Sequence, residues 1–534
     1  MFGRSDVIVA VPFNSMIKMF AILSNIFLLA VAAASPLNHI RSSSIEWGPC
    51  SINGTLPIDC ANFTVPLDYT DKNCNSTLDL ELLRVPAING PSRGSIFFNF
   101  GGPGVEVRAS LAGRAHTLQA ITGGHHDLIG IDPRGTANTL TFQCYANETE
   151  QAMAVPATGT GLTNSSDIAA GASWITMKVM GRKCAKTAGE NGTLIGTAFT
   201  ARDMMQVVDA LGEGGLLRYW GFSYGTLLGA TVVSMFPDRM DKVILDGVMN
   251  PHEYYSGPEP EAWSDADMAF SAFLQACLDA PSECALAKNN TSAAELEASI
   301  WKLVYDLKYL PVEIDGTIVE YTTIKSMIRT SLYTVEKFPP FARALNGLLV
   351  QNYTQYLEGA AEIAAMTPPI MAGDSTDNSA YGIHCSDKRY RKSSFTEMLP
   401  DIEMLEHASQ IMGDIAPVLM QICAQWKMMP KERYEGDFQN IKTQNPVFLI
   451  GNTFDSATSI KGAFNVSSGF VDSVVLRQDG FGHGSLSHPS LCTSRAVRAY
   501  FEDGVLPEQG AVCGVDVAPF SNTTFEDLLP ELGF

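Results

Sequence analysis

The sequence predicts an α/β protein: a mostly parallel sheet with helices on both faces, interrupted by a large, mainly helical insertion. Three observations predict it. Short apolar runs of buried-strand type alternate with helix-length segments at residues 95–100, 127–131, 216–220 and 242–246, and strands resume at 446–451 and 473–476. Between the two groups, residues 251–440 are mostly helical in pattern. At Gly221-Phe222-Ser223-Tyr224-Gly225 an apolar strand runs through a sharp turn into a helix spanning residues 226–236, which Pro237 ends.

Taken in order, the chain opens on a targeting segment. Lys18 precedes an apolar run from residue 19 to 33 that ends in Ala32-Ala33-Ala34-Ser35, the pattern of a signal peptide over residues 1–34. A signal anchor is the alternative, because residues 7–13 add apolar length, and Met16 is a second candidate start. Leu78, Leu80 and Leu82 alternate with Asp79 and Glu81, as in a half-exposed strand. The strand at 95–100 runs into Gly101-Gly102-Pro103-Gly104, and the strand at 127–131 ends at Asp132-Pro133-Arg134-Gly135. A helix is expected over 200–211, with Thr200 and Asp203 at N-cap and N3 spacing.

Within the insertion, Ser292-Ala293-Ala294-Glu295 is a capping box opening a helix through Leu307. Asp315-Gly316 between alternating residues signals a hairpin, and residues 367–379 read as a Pro/Gly/Asp/Ser-rich linker. The expected organisation is therefore a sheet-bearing part at 35–250, a helical cap at 251–440 and a second sheet-bearing part at 441–534.

Composition narrows the partners. The chain has 534 residues, 46% hydrophobic and 17% charged, with a formal net charge of -21. That balance argues against nucleic acid and anionic membrane surfaces. Asn-x-Ser/Thr sequons at Asn53, Asn62, Asn75, Asn147, Asn164, Asn191, Asn289, Asn290, Asn352, Asn465 and Asn522 fit passage through a secretory compartment. The 11 cysteines lack paired metal hooks, so no metal site and no cofactor are expected, and in an oxidising compartment they read as disulfides with one left over. Cys50/Cys60 and Cys277/Cys284 are close enough in sequence to be local staples, whereas the remaining pairs stay open.

The Ser223 turn carries the chemistry. Gly221 and Gly225 leave room for a strained nucleophile, and the helix that follows directs its first N–H groups at developing negative charge. Gly90-Pro91-Ser92-Arg93-Gly94 also fits the five-residue pattern but precedes its strand and reads as a loop. A serine hydroxyl needs a base and an orienting acid, in this architecture following in the order acid then histidine on loops at strand carboxyl ends. Asp455, beyond the 446–451 strand, and His483, in Gly480-Phe481-Gly482-His483-Gly484, fit, with Asp479 and His488 as poorer alternatives. Backbone N–H groups of Tyr224 and Gly102 are the candidate oxyanion hole.

Gly101-Gly102-Pro103-Gly104, Asp132-Pro133-Arg134-Gly135, the Ser223 turn, Phe236-Pro237-Asp238-Arg239 and Val243-Ile244-Leu245-Asp246-Gly247 together resemble the tripeptidyl aminopeptidase-like alpha/beta hydrolases. These are secreted serine exopeptidases of actinobacteria and fungi, related to prolyl aminopeptidases. Residues 270–277 with Cys284, His384-Cys385-Ser386-Asp387, Cys423-Ala424-Gln425-Trp426, and Cys492 with Cys513 resemble the fungal branch, and the likeness spans residues 45–515. The resemblance implies the alpha/beta hydrolase fold, a peptide substrate with a free N-terminus, and acidic residues near the cap mouth to hold its ammonium. Glu106, Glu259, Glu261, Asp265 and Asp267 are the candidates. It also implies the pairs Cys50–Cys60, Cys144–Cys184, Cys277–Cys284, Cys385–Cys423 and Cys492–Cys513, leaving Cys74 free. Two departures lie near the substrate: Val105-Glu106-Val107 replaces the usual Gly/Ser continuation, and Asp455 is followed by Thr458-Ser459 rather than Thr-Pro. They leave open an esterase or lactonase acting on a small metabolite with the same residues.

Overall fold

A ten-stranded sheet runs through the molecule in the order β1-β2-β3-β5-β4-β6-β7-β10-β11-β12. Its strands are β1 (Gly48–Pro49), β2 (Asp59–Pro66), β3 (Thr77–Val85), β4 (Ser95–Asn99), β5 (Asp127–Ile131), β6 (Leu217–Phe222), β7 (Met240–Asp246), β10 (Phe448–Phe454), β11 (Val474–Phe481) and β12 (Val512–Gly514). β8 (Val312–Ile314) and β9 (Thr317–Val319) form a separate hairpin. β1, β2, β3 and β5 pair antiparallel, and every pairing from β5 to β12 is parallel. This is the alpha/beta hydrolase fold. The computed structural model describes residues 45–147, 149–151, 161–289, 292–367 and 375–534, with backbone alone at 288–289 and 375–377. The targeting segment, Asn290, the Asn289 side chain and residues 368–374 of the linker lie outside the described residues or side chains.

Strand periodicity explains why both faces are covered. Phe97, Ile129, Tyr219, Val243, Leu245 and Leu449 point to one face, against α3 (Thr197–Leu211), α4 (Tyr224–Met235) and α14 (Ile460–Gly469). Phe98, Leu128, Trp220, Ile244, Phe448 and Ile450 point to the other, against α1 (Val107–Ile121) and α15 (Leu491–Asp503). Two buried faces require near-continuous apolar strands, which is why the central ones were legible as runs. β2 and β3 alternate instead, placing Phe63, Val65, Leu80 and Leu82 inside.

The insertion runs from α5 (Pro251–Ser256) through α6 (Ala266–Asp279), α7 (Ala293–Tyr309), α8 (Tyr321–Ser331), α9 (Phe338–Leu349), α10 (Tyr353–Ala365), α11 (Ser375–Asp387) and α12 (Phe395–Ala408) to α13 (Ala416–Ala424). Much of it closes over its own core of Phe270, Phe273, Trp301, Phe338 and Phe341. The Ser292/Glu295 capping box opens α7, and Asp315, with φ of 50°, turns the β8–β9 hairpin.

Three expectations need correction. α3 starts at Thr197, not Thr200, because Asp387 of the insertion accepts the Thr197 N–H at 2.9 Å and caps the helix from outside. Thr200 bonds back to the Gly196 carbonyl, and Asp203 is held by Arg134. Residues 375–379 are helical rather than linker, forming the start of α11. β11 continues beyond Leu476 to Phe481, supported on both sides by β10 and β12. α2 (Ala169–Ala188) has no counterpart among the elements expected from sequence; it precedes the nucleophile in the chain and packs with the insertion: Met177 and Cys184 share a cluster with Cys423 and Trp426, and Trp174 shares one with Met420.

The disulfides are Cys50–Cys60, Cys144–Cys184, Cys277–Cys284, Cys385–Cys423 and Cys492–Cys513, with Cys74 free, the pairing set out above. Among the described residues, no helix is long and apolar enough to cross a membrane.

Candidate active site

Ser223 stands between β6 and α4 with φ of 57° and ψ of -125°, a conformation that L-residues rarely adopt. Its surroundings show what permits it. A Cβ on Gly221 would come within 2.3 Å of the Gly225 carbonyl oxygen, and one on Gly225 within 2.4 Å of the Asn99 oxygen. The Ser223 N–H donates to the Asp246 carbonyl at 3.1 Å, while its own carbonyl accepts from the Thr226 N–H and hydroxyl at 2.8 and 2.6 Å. The turn is thereby fixed from β7 on one side and α4 on the other.

Tyr224 is the first residue of α4, so its N–H has no acceptor within the helix. The loop after β4 closes over it: a Cβ on Gly101 would lie 2.7 Å from the Ser223 Cβ and 3.1 Å from the Tyr224 nitrogen. Gly102 follows, exposed, with φ of 102°. The two candidate oxyanion donors thus belong to segments in direct contact beside Ser223. The Tyr224 ring is buried, with its hydroxyl 2.6 Å from that of Thr197.

Asp455 and His483 lie just past the carboxyl ends of β10 and β11. The His483 Nδ1 is 3.1 and 3.0 Å from the two Asp455 carboxylate oxygens. Asp455 is fully buried and also accepts from the N–H groups of Ala457, Thr458 and Gly484 and from the Thr458 hydroxyl. Burial by itself would raise its pKa, but the charge and hydrogen bond of His483, with the Thr458 and Ala457 N–H groups, hold it below the usual value. His483 moves the other way: burial would lower it, and Asp455, joined by Asp246, raises it. The result is a buried carboxylate that stays ionised and a base strengthened toward protonation.

The two alternative residues are engaged structurally. His488 donates from Nε2 to the Val517 carbonyl and accepts the Phe481 N–H at Nδ1, and Asp479 accepts from Thr453. The Ser92 hydroxyl of the second five-residue match accepts from Gly94 in an exposed loop.

The acidic candidates separate clearly. Glu259 is buried in an ion pair with Lys388 and against the His384 Nε2, both at 2.9 Å. Glu261 accepts from Asn250 and Asn465, Asp265 from Ser459 and Lys461, and Asp267 from Ser409 and the N–H groups of Gln410 and Ile411. Glu106, at the end of the glycine loop, is half-buried and does not cap α1. Burial, with Asp132 and Glu81 nearby, raises its pKa against the opposing Arg108, whose guanidinium is already bound by Asp132 and Glu81. Glu253 was not anticipated; burial pushes it up to about 7.

Three further residues adjoin the dyad, two of them read in the sequence only as parts of motifs (Thr458, Asp246) and one not singled out there at all (Tyr333). Thr458 lies 3.1 Å from the His483 Nδ1. Tyr333 of the insertion accepts the His483 N–H at its carbonyl (2.9 Å) and sets its ring edge-on to the imidazole at 5.2 Å. Asp246 ends β7 fully buried beneath the His483 loop. A carboxylate closing a buried apolar strand was a readable signal; nothing local marked Tyr333.

Of the sequons, Asn53, Asn62, Asn75, Asn147, Asn164, Asn191, Asn352 and Asn522 are exposed. The Asn465 amide nitrogen, the atom a glycan would take, instead donates to Glu261 from within α14.

A family model described as alpha/beta hydrolase fold matches residues 103–312, and another described as TAP-like protein matches residues 409–513. The chain is 24% identical to a tripeptidyl aminopeptidase of Streptomyces lividans, over 92% of this chain and 89% of that protein. It is 26% identical to the serine protease Hip1 of Mycobacterium tuberculosis, over 88% and 91%. It is also 24% identical to a carboxylesterase B of Mycobacterium tuberculosis, over 85% and 86%.

Proposed function

The chain is a tripeptidyl aminopeptidase-like alpha/beta hydrolase, and from that premise we propose that it is a secreted serine exopeptidase releasing short peptides, tripeptides foremost, from free N-termini. The observation that carries the reading is the buried Asp455–His483 pair on the loops beside a serine held at positive φ. The Ser223 Oγ attacks the scissile carbonyl carbon and its proton passes to the His483 Nε2. The oxyanion accepts from the Tyr224 and Gly102 N–H groups, and His483 returns the proton to the departing amine. Water then hydrolyses the acyl-enzyme by the same route. Asp455 keeps the imidazole in the Nδ1–H tautomer and stabilises its protonated form. The five disulfides support an oxidising compartment, and the net charge of -21 supports neither nucleic acid nor an anionic surface as partner.

Recognition of the free N-terminus requires a carboxylate not already committed. Glu259, Glu261, Asp265 and Asp267 each hold protein groups, which leaves Glu106, on the loop that carries Gly102, as the best-supported partner of the ammonium. Losing that ion pair inside a desolvated site should cost at least about 2.7 kcal/mol, a factor of about 10². Unblocked tripeptide anilides should therefore be cleaved at least about 10²-fold faster than their N-acetylated forms. Equal rates would overturn the aminopeptidase reading. The likeness to a carboxylesterase favours a second reading, an esterase on a small metabolite, and acyl esters turned over while both anilides stay uncleaved would promote it.

A further inference from the structure

We propose that Asp246 is a positioning residue that sets the spacing between Ser223 and His483, its main chain holding the nucleophile and its side chain holding the loop of the base. The proposal rests on the hydrolase reading of Ser223, His483 and Asp455, and not on the choice between peptide and ester.

Both halves of the residue are engaged. Its carbonyl accepts the Ser223 N–H at 3.1 Å, the hydrogen bond that anchors the strained turn to β7. Its carboxylate accepts the Ser485 N–H at 2.8 Å and the Ser485 hydroxyl at 2.5 Å, two residues past His483, and the Trp220 Nε1–H at 3.3 Å. The loop cannot retreat from the turn without breaking these bonds. A Cβ on Gly484 would lie 3.4 Å from the Asp246 carboxylate and 3.6 Å from the Phe222 ring. A Cβ on Gly247 would lie 3.3 Å from the Gly484 Cα. One residue thus couples three elements: β6 through Trp220 and Ser223, β7 on which it sits, and the loop after β11.

The carboxylate has a second consequence. Asp455 faces the His483 Nδ1 together with the Thr458 hydroxyl, Tyr333 covers the ring edge-on, and Asp246 adds a further negative charge below. Burial pushes Asp246 up to about 6, with Ser485 and Trp220 opposing the rise, so it is ionised at neutral pH and there favours protonated His483. A carboxylate serving only the fold would be expected to affect melting alone. One serving the site also moves the acid limb along which His483 loses its competence as a base.

The rate at which a fluorophosphonate probe labels Ser223 reads that limb without reference to substrate class. The wild type should be labelled and Ser223→Ala should not; an unlabelled wild type would sink the hydrolase reading itself. In Asp246→Asn the acid limb should move down by about one pH unit and the plateau rate should fall at least about tenfold. Ser485→Ala, which keeps the carboxylate and removes the hydroxyl tether, should lower the plateau about tenfold and move the limb less than Asp246→Asn does. A folded Asp246→Asn with the wild-type limb and plateau would overturn the proposal. If Asp246→Asn does not fold, Ser485→Ala decides alone: a tenfold loss at an unchanged melting temperature supports it, and an unchanged labelling rate overturns it.

Discussion

At the scale of single residues, the site is a set of oppositely shifted groups. Asp455 is fully buried yet held below its usual pKa by His483 and by donated N–H groups, and His483 is held above its own. Asp455→Asn removes the charge that favours protonated imidazole and puts an amide NH2 donor where a carboxylate oxygen accepts from the N–H groups of Ala457, Thr458 and Gly484. Turnover should fall about 10⁴-fold, and Ser223→Ala or His483→Ala should fall at least as far, as the proposed mechanism requires of three residues acting as a unit. Steady-state rates measured beside circular dichroism spectra check this. Near-normal turnover in a folded Asp455→Asn would place the acid elsewhere. Ser223, Asp455 and His483 could be proposed from sequence because each sits on a strand-to-loop boundary with its own turn chemistry. Tyr333 could not, since only folding brings an aromatic from the insertion onto the imidazole.

At the scale of elements, what the sequence displayed was whatever local physics controls. The central strands declare themselves because both faces are buried, and the α7 capping box does so because its partners are three residues apart. The start of α3 was misplaced because its cap is Asp387, on a helix far along the chain. β11 looked short because Arg477, Gln478 and Asp479 break the apolar run, although Gln478 is buried with its amide donating to the Ser485 and His488 carbonyls. Asp387 makes the element-scale prediction. It is fully buried, takes the Thr197 N–H and hydroxyl and the Tyr254 hydroxyl, and burial raises its pKa to about 6 against those hydrogen bonds. A carboxyl raised in the folded state contributes stability that is fully present below the unfolded pKa and is lost as pH rises through the folded one. The wild type should therefore lose about 2 kcal/mol relative to Asp387→Asn between pH 4.5 and 7.5. Denaturant unfolding of both proteins at the two pH values measures this, and a difference that stays constant or grows in the wild type's favour would contradict it.

At the scale of the whole molecule, the insertion and the sheet share the loops that carry Asp455 and His483. The Tyr333 carbonyl holds the His483 N–H, the Ala262 carbonyl holds the Ser459 N–H beside the Asp455 loop, and Asp387 caps the helix beneath Tyr224. The insertion therefore cannot unfold without releasing the base and the acid. A single cooperative thermal transition is expected, with activity lost along it rather than ahead of it. Two disulfides close long loops, Cys144–Cys184 on the α2 side with a separation of 40 residues and Cys385–Cys423 within the insertion with 38, whereas Cys277–Cys284 of the insertion spans only 7. Loop entropy assigns about 4 kcal/mol to each long closure and about 2.5 kcal/mol to the short one. Replacing Cys385 and Cys423 by Ala should accordingly lower the melting temperature more than replacing Cys277 and Cys284. Neither pair touches Ser223, Asp455 or His483, so the rate per folded molecule should stay unchanged well below the transition. Calorimetry run beside a residual-activity assay tests both claims together. Two resolved transitions, with activity surviving the first, would show that the insertion folds independently of the loops it grips.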